Sequence, residues 1–251
     1  MNRAFRLAQH FLWDSDVTKK AAQTVSIKGL SVLEVGAGTG AFTVELARQK
    51  PRKLWAVETD ADLLSKLEKR VLDLDFANVI HADVRGLDFS GFDWIVGNIP
   101  FYLSSELLFK ALHAEARALF FLQKEFAERL VAKPATSQWG RLSVNAQNQA
   151  DIQIAFDVSR FSFSPPPHVD ASVVVIQPKK PIGIDETLVE ALFSHKNQKI
   201  QNAFEHAAKK MGLDKKTAKT LSKTLPFSEL RVRELTLQNW LTLSDYLKKK
   251  K

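Results

Sequence analysis

Between residues 31 and 178, short apolar segments alternate with helix-forming segments, and this alternation restricts the folds that the chain can adopt. "SVLEV" (31–35) and "KLWAVE" (53–58) predict strands, and each is followed by a segment whose apolar residues have helical spacing. The pattern continues with predicted strands at "NVIHAD" (78–83), "FDWIVGN" (92–98) and "ALFFLQ" (118–123). Because strands that alternate with helices build βαβ units, we predict an α/β fold with a parallel sheet covered by helices on both faces.

A segment rich in Pro, Gly and Lys, "QPKKPIG" (177–183), divides the chain. Upstream of it, "DIQIAFDV" and "SVVVIQP" have the pattern of strands and are candidates for an antiparallel edge of the sheet. Downstream, apolar residues recur at i, i+3 and i+4, the spacing of amphipathic helices. The sequence therefore predicts a first domain of residues 1–180 and a small, basic, helical domain of residues 181–251.

The charge of the chain favours a polyanionic partner, although a solvated basic surface would give the same composition. Net charge is +8, and residues 185–251 carry 14 Lys and Arg against 8 Asp and Glu. Such a surplus suits nucleic acid, because Lys and Arg neutralise phosphates and release counterions. The chain has no Cys, which excludes disulfides and thiolate metal sites and fits a reducing cytoplasm. No apolar run reaches the roughly 20 residues of a membrane span, and the N-terminus lacks the pattern of a signal peptide.

Glycines follow the first predicted strand in "EVGAGTG" (34–40), where a helix is expected to begin. Gly36 and Gly38 allow a tight turn and bring a ligand close to unpaired backbone N–H groups. Glu58 ends the second strand, 22 residues after Gly36, where a carboxylate can accept hydrogen bonds from ribose hydroxyls. This pattern predicts a nucleotide cofactor at the carboxyl edge of the sheet.

Two cofactors are compatible with these glycines. The run from Gly36 to Ala41 also matches a lenient dinucleotide fingerprint, so the glycines alone do not distinguish NAD from S-adenosylmethionine. Glu34, two residues before the first glycine, and Asp83, at the end of the third strand, favour S-adenosylmethionine, with Asp83 placed to meet an adenine amine. The alternative is that Glu58 and Asp83 only cap helices.

The segment "NIPF" (98–101) follows the fourth predicted strand and suits the transfer of a methyl group to an adenine amine. The lone pair of that nitrogen is delocalised into the ring, so acceptors aimed at its N–H bonds help to localise it and stabilise the developing positive charge. Asn98 offers a side-chain oxygen, and Pro100 fixes a turn that presents the Ile99 carbonyl. Phe101 can stack on a base removed from its helix. The alternative is an ordinary Asn-Ile-Pro turn with Phe101 packed inside.

Six segments stand out in order along the chain: "QHFL" (9–12), "EVGAGTG" (34–40), "NIPFYLSS" (98–105), "LQKEFAERLVA" (122–132), "WGRLSV" (139–144) and "FSFSPPPHVDASVV" (161–174). With them, nearly the whole chain resembles the KsgA-type ribosomal RNA adenine dimethyltransferases. The resemblance implies a Rossmann-like S-adenosylmethionine-dependent methyltransferase domain with a small α-helical C-terminal domain. It also implies N6,N6-dimethylation of two adjacent adenosines near the 3′ end of small-subunit rRNA during ribosome biogenesis, with an immature ribosomal subunit as partner.

The same resemblance implies a set of cofactor-binding residues. His10 and Leu12 would line the cofactor site, with Gly36 against the methionine portion. Glu58 would bind the ribose hydroxyls, and Asp83 would bind the adenine amine.

For the target base, the resemblance implies that Asn98 binds the amine next to the cofactor's methyl, which makes it part of both sites. Phe101 would stack on the base, and Phe163 would enclose it from the other side.

Three features depart from the family pattern. His10 stands where Asn is usual, and Tyr102 stands where Asn or Gln is common. "FSHKNQKIQNAF" (193–204) stands where relatives often carry an Arg- and Lys-rich segment, with Lys196 and Lys199 remaining.

Three other functions stay open on the sequence alone. A large-subunit rRNA adenine methyltransferase of the erythromycin-resistance type would share the fold and the Asn-Ile-Pro-aromatic motif. An RNA-binding assembly factor could have kept the fold and lost catalysis, and a DNA adenine methylase would use similar chemistry. We expect a monomeric, cytoplasmic enzyme that uses neither a metal nor a membrane.

Overall fold

The computed structural model describes residues 10–250, and most of its strands form one sheet. In chain order the strands are β1 (Phe11–Leu12), β2 (Ser31–Val35), β3 (Lys53–Glu58), β4 (Ala77–His81), β5 (Trp94–Asn98), β6 (Arg117–Gln123), β7 (Ala150–Val158), β8 (Phe163–Ser164) and β9 (Ala171–Pro178). Seven of them form a sheet in the order β4-β3-β2-β5-β6-β9-β7. The chain thus crosses from one half of the sheet to the other between β4 and β5, on either side of the central strand β2.

Helices connect the successive strands. The α-helices are α1 (Ser15–Gln23), α2 (Ala41–Ala47), α3 (Ala61–Val71), α4 (Ser104–His113), α5 (Lys124–Leu130), α6 (Arg141–Gln149), α7 (Glu186–Phe193), α8 (Ile200–Ala207), α9 (Lys215–Ser222) and α10 (Leu237–Lys248). Carboxylates cap the N-termini of several helices. Asp14 accepts hydrogen bonds from two backbone N–H groups of α1, and Asp60 accepts one from a backbone N–H of α3. In the described part of the chain, no helix is both long and apolar enough to cross a membrane.

The predicted parallel strands are confirmed, and the sheet continues with an antiparallel partner. β2 pairs in parallel with β3 and β5, so that Glu34 is opposite both Ala56 and Val96. β6 pairs in parallel with β5 and antiparallel with β9, as the candidate antiparallel edge required. All five residues of β2 are buried, as expected for a central strand with both faces covered. The carboxyl ends of β2, β3 and β5 therefore meet at the same edge of the sheet.

A second, two-stranded sheet joins distant parts of the sequence. β1 pairs antiparallel with β8, with Phe11 opposite Ser164 and Leu12 opposite Phe163. Leu12 and Phe163 belong to the apolar cluster that also contains Val32 of the main sheet. This pairing holds the segment that begins at His10 against the body of the α/β unit.

The chain is divided into two compact units, and the division differs from the predicted one. The first unit contains the described residues up to Ala127 together with Ile152–Pro178, and the second contains Glu128–Asp151 and the described residues from Lys179 onward. The second break thus falls next to the predicted boundary at 180, whereas residues 128–151 were expected in the first domain.

The apolar side chains of residues 128–151 explain that difference. Trp139 and Val144 pack in the same buried cluster as Phe204 and Trp240 of the C-terminal helices. Burial of a large apolar side chain contributes about 1.5–3 kcal/mol to folding stability. Residues 128–151 gain this contribution by packing within the second unit. No sequence feature comparable to "QPKKPIG" marks its two ends.

Candidate active site

A cavity opens at the carboxyl edge of the sheet, beyond the ends of β2, β3 and β5. Its volume is about 960 Å³ when the open mouth is included. The side chains and backbone that line it are those of His10, Phe11, Val35, Gly36, Gly38, Val57, Glu58, Thr59, Ala82, Asp83, Val84, Arg85, Asn98, Ile99, Pro100, Phe101, Tyr102 and Leu103. The structure therefore brings most of the predicted site residues into one place, which is where α/β sheets bind their ligands.

The glycine-rich loop forms one wall and is fixed to the neighbouring strand. The backbone N–H groups of Gly36 and Ala37 both donate to the Val57 carbonyl, at 3.0 Å each. Gly36 has a φ of +69°, and a Cβ built on it would lie 3.3 Å from the Asn98 carbonyl oxygen. A side chain at this position would strain the backbone and press against the strand that carries Asn98. Glycine therefore lets the loop backbone lie close to that strand.

Glu58 links this loop to the next helix through its carboxylate. Its Oε2 accepts a hydrogen bond from the Gly38 N–H at 2.8 Å. Its Oε1 accepts from the N–H groups of Thr59 and Asp60 at 2.8 and 2.9 Å. Glu58 is only 5% exposed, yet it lines the cavity. The carboxylate is thus held in one orientation at the wall, with oxygen lone pairs available to a ligand's hydroxyl groups.

A second carboxyl group lies buried behind the loop. Glu34 is 1% exposed, and no described residue makes a hydrogen bond to its Oε2. Burial, opposed by the Thr43 side chain and assisted by the nearby Glu58 carboxylate, raises the pKa of Glu34 from 4.5 to about 8. Glu34 is therefore mostly protonated at neutral pH, which avoids two adjacent buried negative charges.

Asp83 lies at the opposite wall and already has a cationic partner. Its carboxylate accepts hydrogen bonds from Arg85 Nε at 3.0 and 3.1 Å and from the Arg85 backbone N–H at 2.9 Å. The Arg85 guanidinium and backbone N–H hold the pKa of Asp83 below its ordinary value. Asp83 also precedes the short 3₁₀-helix Val84–Gly86 as its N-cap, so the capping alternative is correct as a description of its local contacts. Both residues line the cavity.

Asn98 lies between the glycine loop and the segment that contains β1. Its Nδ2 donates to the His10 carbonyl at 2.8 Å. This bond orients the amide so that Oδ1 remains as the hydrogen-bond acceptor of the side chain. The His10 ring is fixed in turn, because Nδ1 donates to the Pro165 carbonyl at 2.7 Å.

The two residues after Asn98 form a turn that places Phe101 at the cavity. Ile99 is buried, and Pro100 has φ −56° and ψ 129°, so the chain leaves β5 sharply and enters the 3₁₀-helix Phe101–Leu103. The Phe101 ring lies 6.2 Å from the His10 ring, centroid to centroid, and is only partly buried. The interpretation of Phe101 as a fully packed side chain is therefore not supported, since the ring faces the cavity.

Two predicted site residues lie elsewhere. Leu12 and Phe163 are not among the described residues that line the cavity, and they are 9% and 2% exposed within the apolar core. The physical reason is the β1–β8 pairing, which directs both side chains to the same buried face. The roles expected of Phe163 at the target base and of Leu12 at the cofactor stay predictions, and neither side chain lines the described cavity.

The structure also adds lining residues that were not predicted. Phe11 lies inside the quoted segment "QHFL" between His10 and Leu12, and Arg85 lies two residues after Asp83; only the fold shows that they reach the cavity. Tyr102 lines the mouth and is 57% exposed. Within residues 10–250 there is no group of three His, Asp or Glu side chains that could hold a metal ion.

Comparison with known proteins identifies the family to which these features belong. The family model described as "Ribosomal RNA adenine dimethylase" matches residues 1–249. A protein of Pyrococcus abyssi named "Probable ribosomal RNA small subunit methyltransferase A" is 35% identical over 247 residues, which cover 97% of this chain and 91% of that protein. A mitochondrial ribosomal RNA small subunit methyltransferase of Arabidopsis thaliana is 36% identical and matches 84% of this chain and 58% of its own length.

Solved structures agree with the fold. A dimethyladenosine transferase from Plasmodium falciparum superposes with a TM-score of 0.83 at 28% identity, covering 96% of this chain and 98% of that chain. The 23S rRNA methyltransferase ErmE superposes with a TM-score of 0.71 at 24% identity, covering 95% and 99%. The predicted Rossmann-like methyltransferase fold with a helical C-terminal part is confirmed by these likenesses.

Proposed function

Because this chain belongs to the ribosomal RNA adenine dimethylase family, we propose that it uses S-adenosylmethionine to dimethylate N6 of two adjacent adenosines near the 3′ end of small-subunit rRNA. The observation that carries the proposal is the orientation of Asn98. Its Nδ2 is held by the His10 carbonyl at the wall of the cavity, which leaves the Oδ1 as an acceptor beside the glycine loop.

The cavity residues fit S-adenosylmethionine. Gly36 and Gly38 supply a wall of backbone without side chains, and Glu58 offers carboxylate oxygens for ribose hydroxyls. Asp83 is anionic, since Arg85 lowers its pKa, and can accept from an adenine amine. When bound, this cofactor supplies an electrophilic methyl group on a sulfonium, so the protein itself does not need a metal or a nucleophilic side chain.

The residues of the "NIPF" segment would then prepare the target nitrogen. Asn98 Oδ1 and the Ile99 carbonyl accept hydrogen bonds from the N6 amine and keep its lone pair out of the ring. As the nitrogen gains positive charge, these fixed dipoles stabilise it more strongly than reorienting water could. Phe101 stacks on the base, which has left its RNA helix.

The test is the change of Asn98 to Ala. We expect the rate of rRNA dimethylation to fall by about a hundredfold or more, because a preorganised acceptor is lost, while calorimetry shows that S-adenosylmethionine still binds. Asn78→Ala, at an exposed Asn of β4, is the matched control and should behave as the wild type. Near-normal dimethylation by Asn98→Ala would contradict the assignment.

The choice of RNA is tested in the same assay. Immature small and large ribosomal subunits are incubated separately with enzyme and cofactor, and N6,N6-dimethyladenosine is located by mass spectrometry. Methyl groups on the small-subunit RNA support the proposal. Modification of the large subunit would favour the erythromycin-resistance type, and absence of cofactor binding would favour a non-catalytic assembly factor.

We also propose that the second unit contributes RNA contacts and that the enzyme acts as a cytoplasmic monomer on an immature ribosomal subunit. The support for the RNA contacts is charge, since six of the eight net positive charges lie in residues 185–251. Lys196 lies in that part of the chain and is exposed.

A further inference from the structure

Two large aromatic rings lie exposed beside the candidate active site and have no part in it. Trp13 is 64% exposed and Phe161 is 65% exposed. Across residues 10–250, Tyr102 is the other aromatic side chain with comparable exposure, and it lines the cavity mouth. Exposed apolar side chains scattered singly need no explanation, but these two belong to segments that are hydrogen-bonded to each other.

Backbone and side-chain hydrogen bonds fix Trp13 against the backbone of the segment that carries Phe161. The Trp13 N–H donates to the Ser162 carbonyl at 3.1 Å, and the indole Nε1–H donates to the Phe161 carbonyl at 3.2 Å. Trp13 directly follows β1, and Phe161 belongs to the short 3₁₀-helix Arg160–Ser162 that precedes β8. Because β1 and β8 are paired, the two aromatic residues are presented by adjoining segments rather than by independent loops.

The same segments form part of the cavity wall. Phe11 of β1 lines the cavity, and so does His10, whose ring is bonded to the Pro165 carbonyl just after β8. Trp13 is thus two residues along the chain from Phe11 of the cavity wall, and Phe161 precedes the strand that pairs with β1.

A cation accompanies the rings. The Arg160 guanidinium lies 5.0 Å from the centre of the Phe161 ring, and its Nη1 donates to the His168 carbonyl at 3.3 Å. Asp170 accepts a hydrogen bond from the Arg160 backbone N–H and so fixes the turn. None of the ion pairs between described residues includes the Arg160 side chain. The surface thus combines two π-faces with a positive charge, as single-stranded nucleic acid sites do.

We propose that Trp13 and Phe161 form a stacking surface for unpaired RNA bases next to the target adenine, with Arg160 contacting the phosphate backbone. A base that leaves its helix deprives its neighbours of a stacking partner, and aromatic rings beside the pocket can replace that lost contact. This inference rests on the proposed function, because it requires an RNA substrate whose target base is extruded. An apolar protein partner would not account for the cation on the ring.

The first experiment measures steady-state methylation of immature small subunits at saturating S-adenosylmethionine. Alanine at Trp13 or at Phe161 is expected to raise the KM for the subunit about tenfold, the loss typical of one stacked base, with a smaller effect on kcat. Trp13→Phe and Phe161→Tyr should restore most of the affinity, which a role in folding alone would not predict. Leu72→Ala is the matched control, because Leu72 is an exposed apolar residue of the same unit and lies outside the cavity.

The second experiment uses Trp13 as its own reporter. Of the five Trp residues, Trp94, Trp139 and Trp240 are at most 3% exposed, Trp55 is half-buried and Trp13 is the most exposed. The acrylamide-quenchable emission that is lost in Trp13→Phe, which keeps Trp55, is therefore that of Trp13. A single-stranded RNA oligonucleotide with two adjacent adenines should protect that emission, and Trp13→Phe should lose the response. If the wild type methylates the subunit while both alanine variants keep its KM and RNA leaves the emission unchanged, the stacking surface is wrong and the proposed function stands. If the wild type methylates no small-subunit RNA, the proposed function itself fails.

Discussion

The change of Glu34 to Gln tests whether a buried, protonated carboxyl group supports the glycine loop. In the folded protein the pKa of Glu34 is raised to about 8 by burial, compared with 4.5 for an exposed carboxyl. The folded state therefore holds its proton over a pH range in which the unfolded chain has released it. The contribution of this group to stability is complete below pH 4.5 and is lost as the pH rises towards 8.

The size of the effect follows from the two pKa values. Each pH unit between them costs about 1.4 kcal/mol, and the slope flattens near the folded value, so the loss between about pH 6 and pH 8 is about 2 kcal/mol. Gln has the same shape and no titratable proton. Between pH 6 and pH 8 the Glu34→Gln variant should therefore retain the roughly 2 kcal/mol of unfolding free energy that the wild type loses.

The measurement is the free energy of unfolding in urea at pH 6 and at pH 8 for both proteins, without cofactor. The quantity of interest is the difference between their pH dependences, since groups that titrate in both proteins cancel. Glu68→Gln, at an exposed Glu of α3, is the control and should follow the wild type. Parallel pH dependences of wild type and Glu34→Gln would show that Glu34 is ionised in the folded protein and would refute the reasoning.

Two further changes test the construction of the cavity. Gly97→Ala should lower the free energy of unfolding, measured by thermal melts, by about 3 kcal/mol, because the new Cβ would lie 2.2 Å from the Val35 carbonyl oxygen. Gly86→Ala is the control and should be close to neutral, because a Cβ built there meets no atom within 4 Å beyond its chain neighbours. Glu58→Gln should weaken S-adenosylmethionine binding about tenfold in calorimetry, because hydrogen bonds to a charged acceptor are lost, and wild-type affinity in this variant would remove Glu58 from the ribose site.

The sequence predicted the parts of the site that depend on local pattern. Gly36 and Asn98 each follow a strand that is recognisable from its apolar run, and parallel strands bring their carboxyl ends to one edge. The buried positions of Leu12 and Phe163 could not be predicted, because they depend on a pairing between residues about 150 apart in sequence. A two-residue strand has too few residues to show an alternating pattern, so nothing local signals it.

The contacts of Asp83 show a different limit of prediction. Its position at a strand end was predictable, but its bond to Arg85 depends on the conformation of the 3₁₀ turn between them. The membership of residues 128–151 in the second unit also depends on which apolar side chains meet, and no sequence neighbour of Trp139 reveals that it shares a buried cluster with Trp240.

The interleaving of the two units determines how the protein can be divided and the order in which it can be completed. The chain leaves the first unit after Ala127, builds part of the second, returns for Ile152–Pro178 and then finishes the second. During synthesis, β6 can pair with β9 only after residue 178 has left the ribosome. Trp139 is buried only after the C-terminal helices have been synthesised, because they complete its apolar cluster. A fragment that ends at the linker would keep the complete sheet and expose the apolar side chains of residues 128–151, so neither unit can be removed by a single cut.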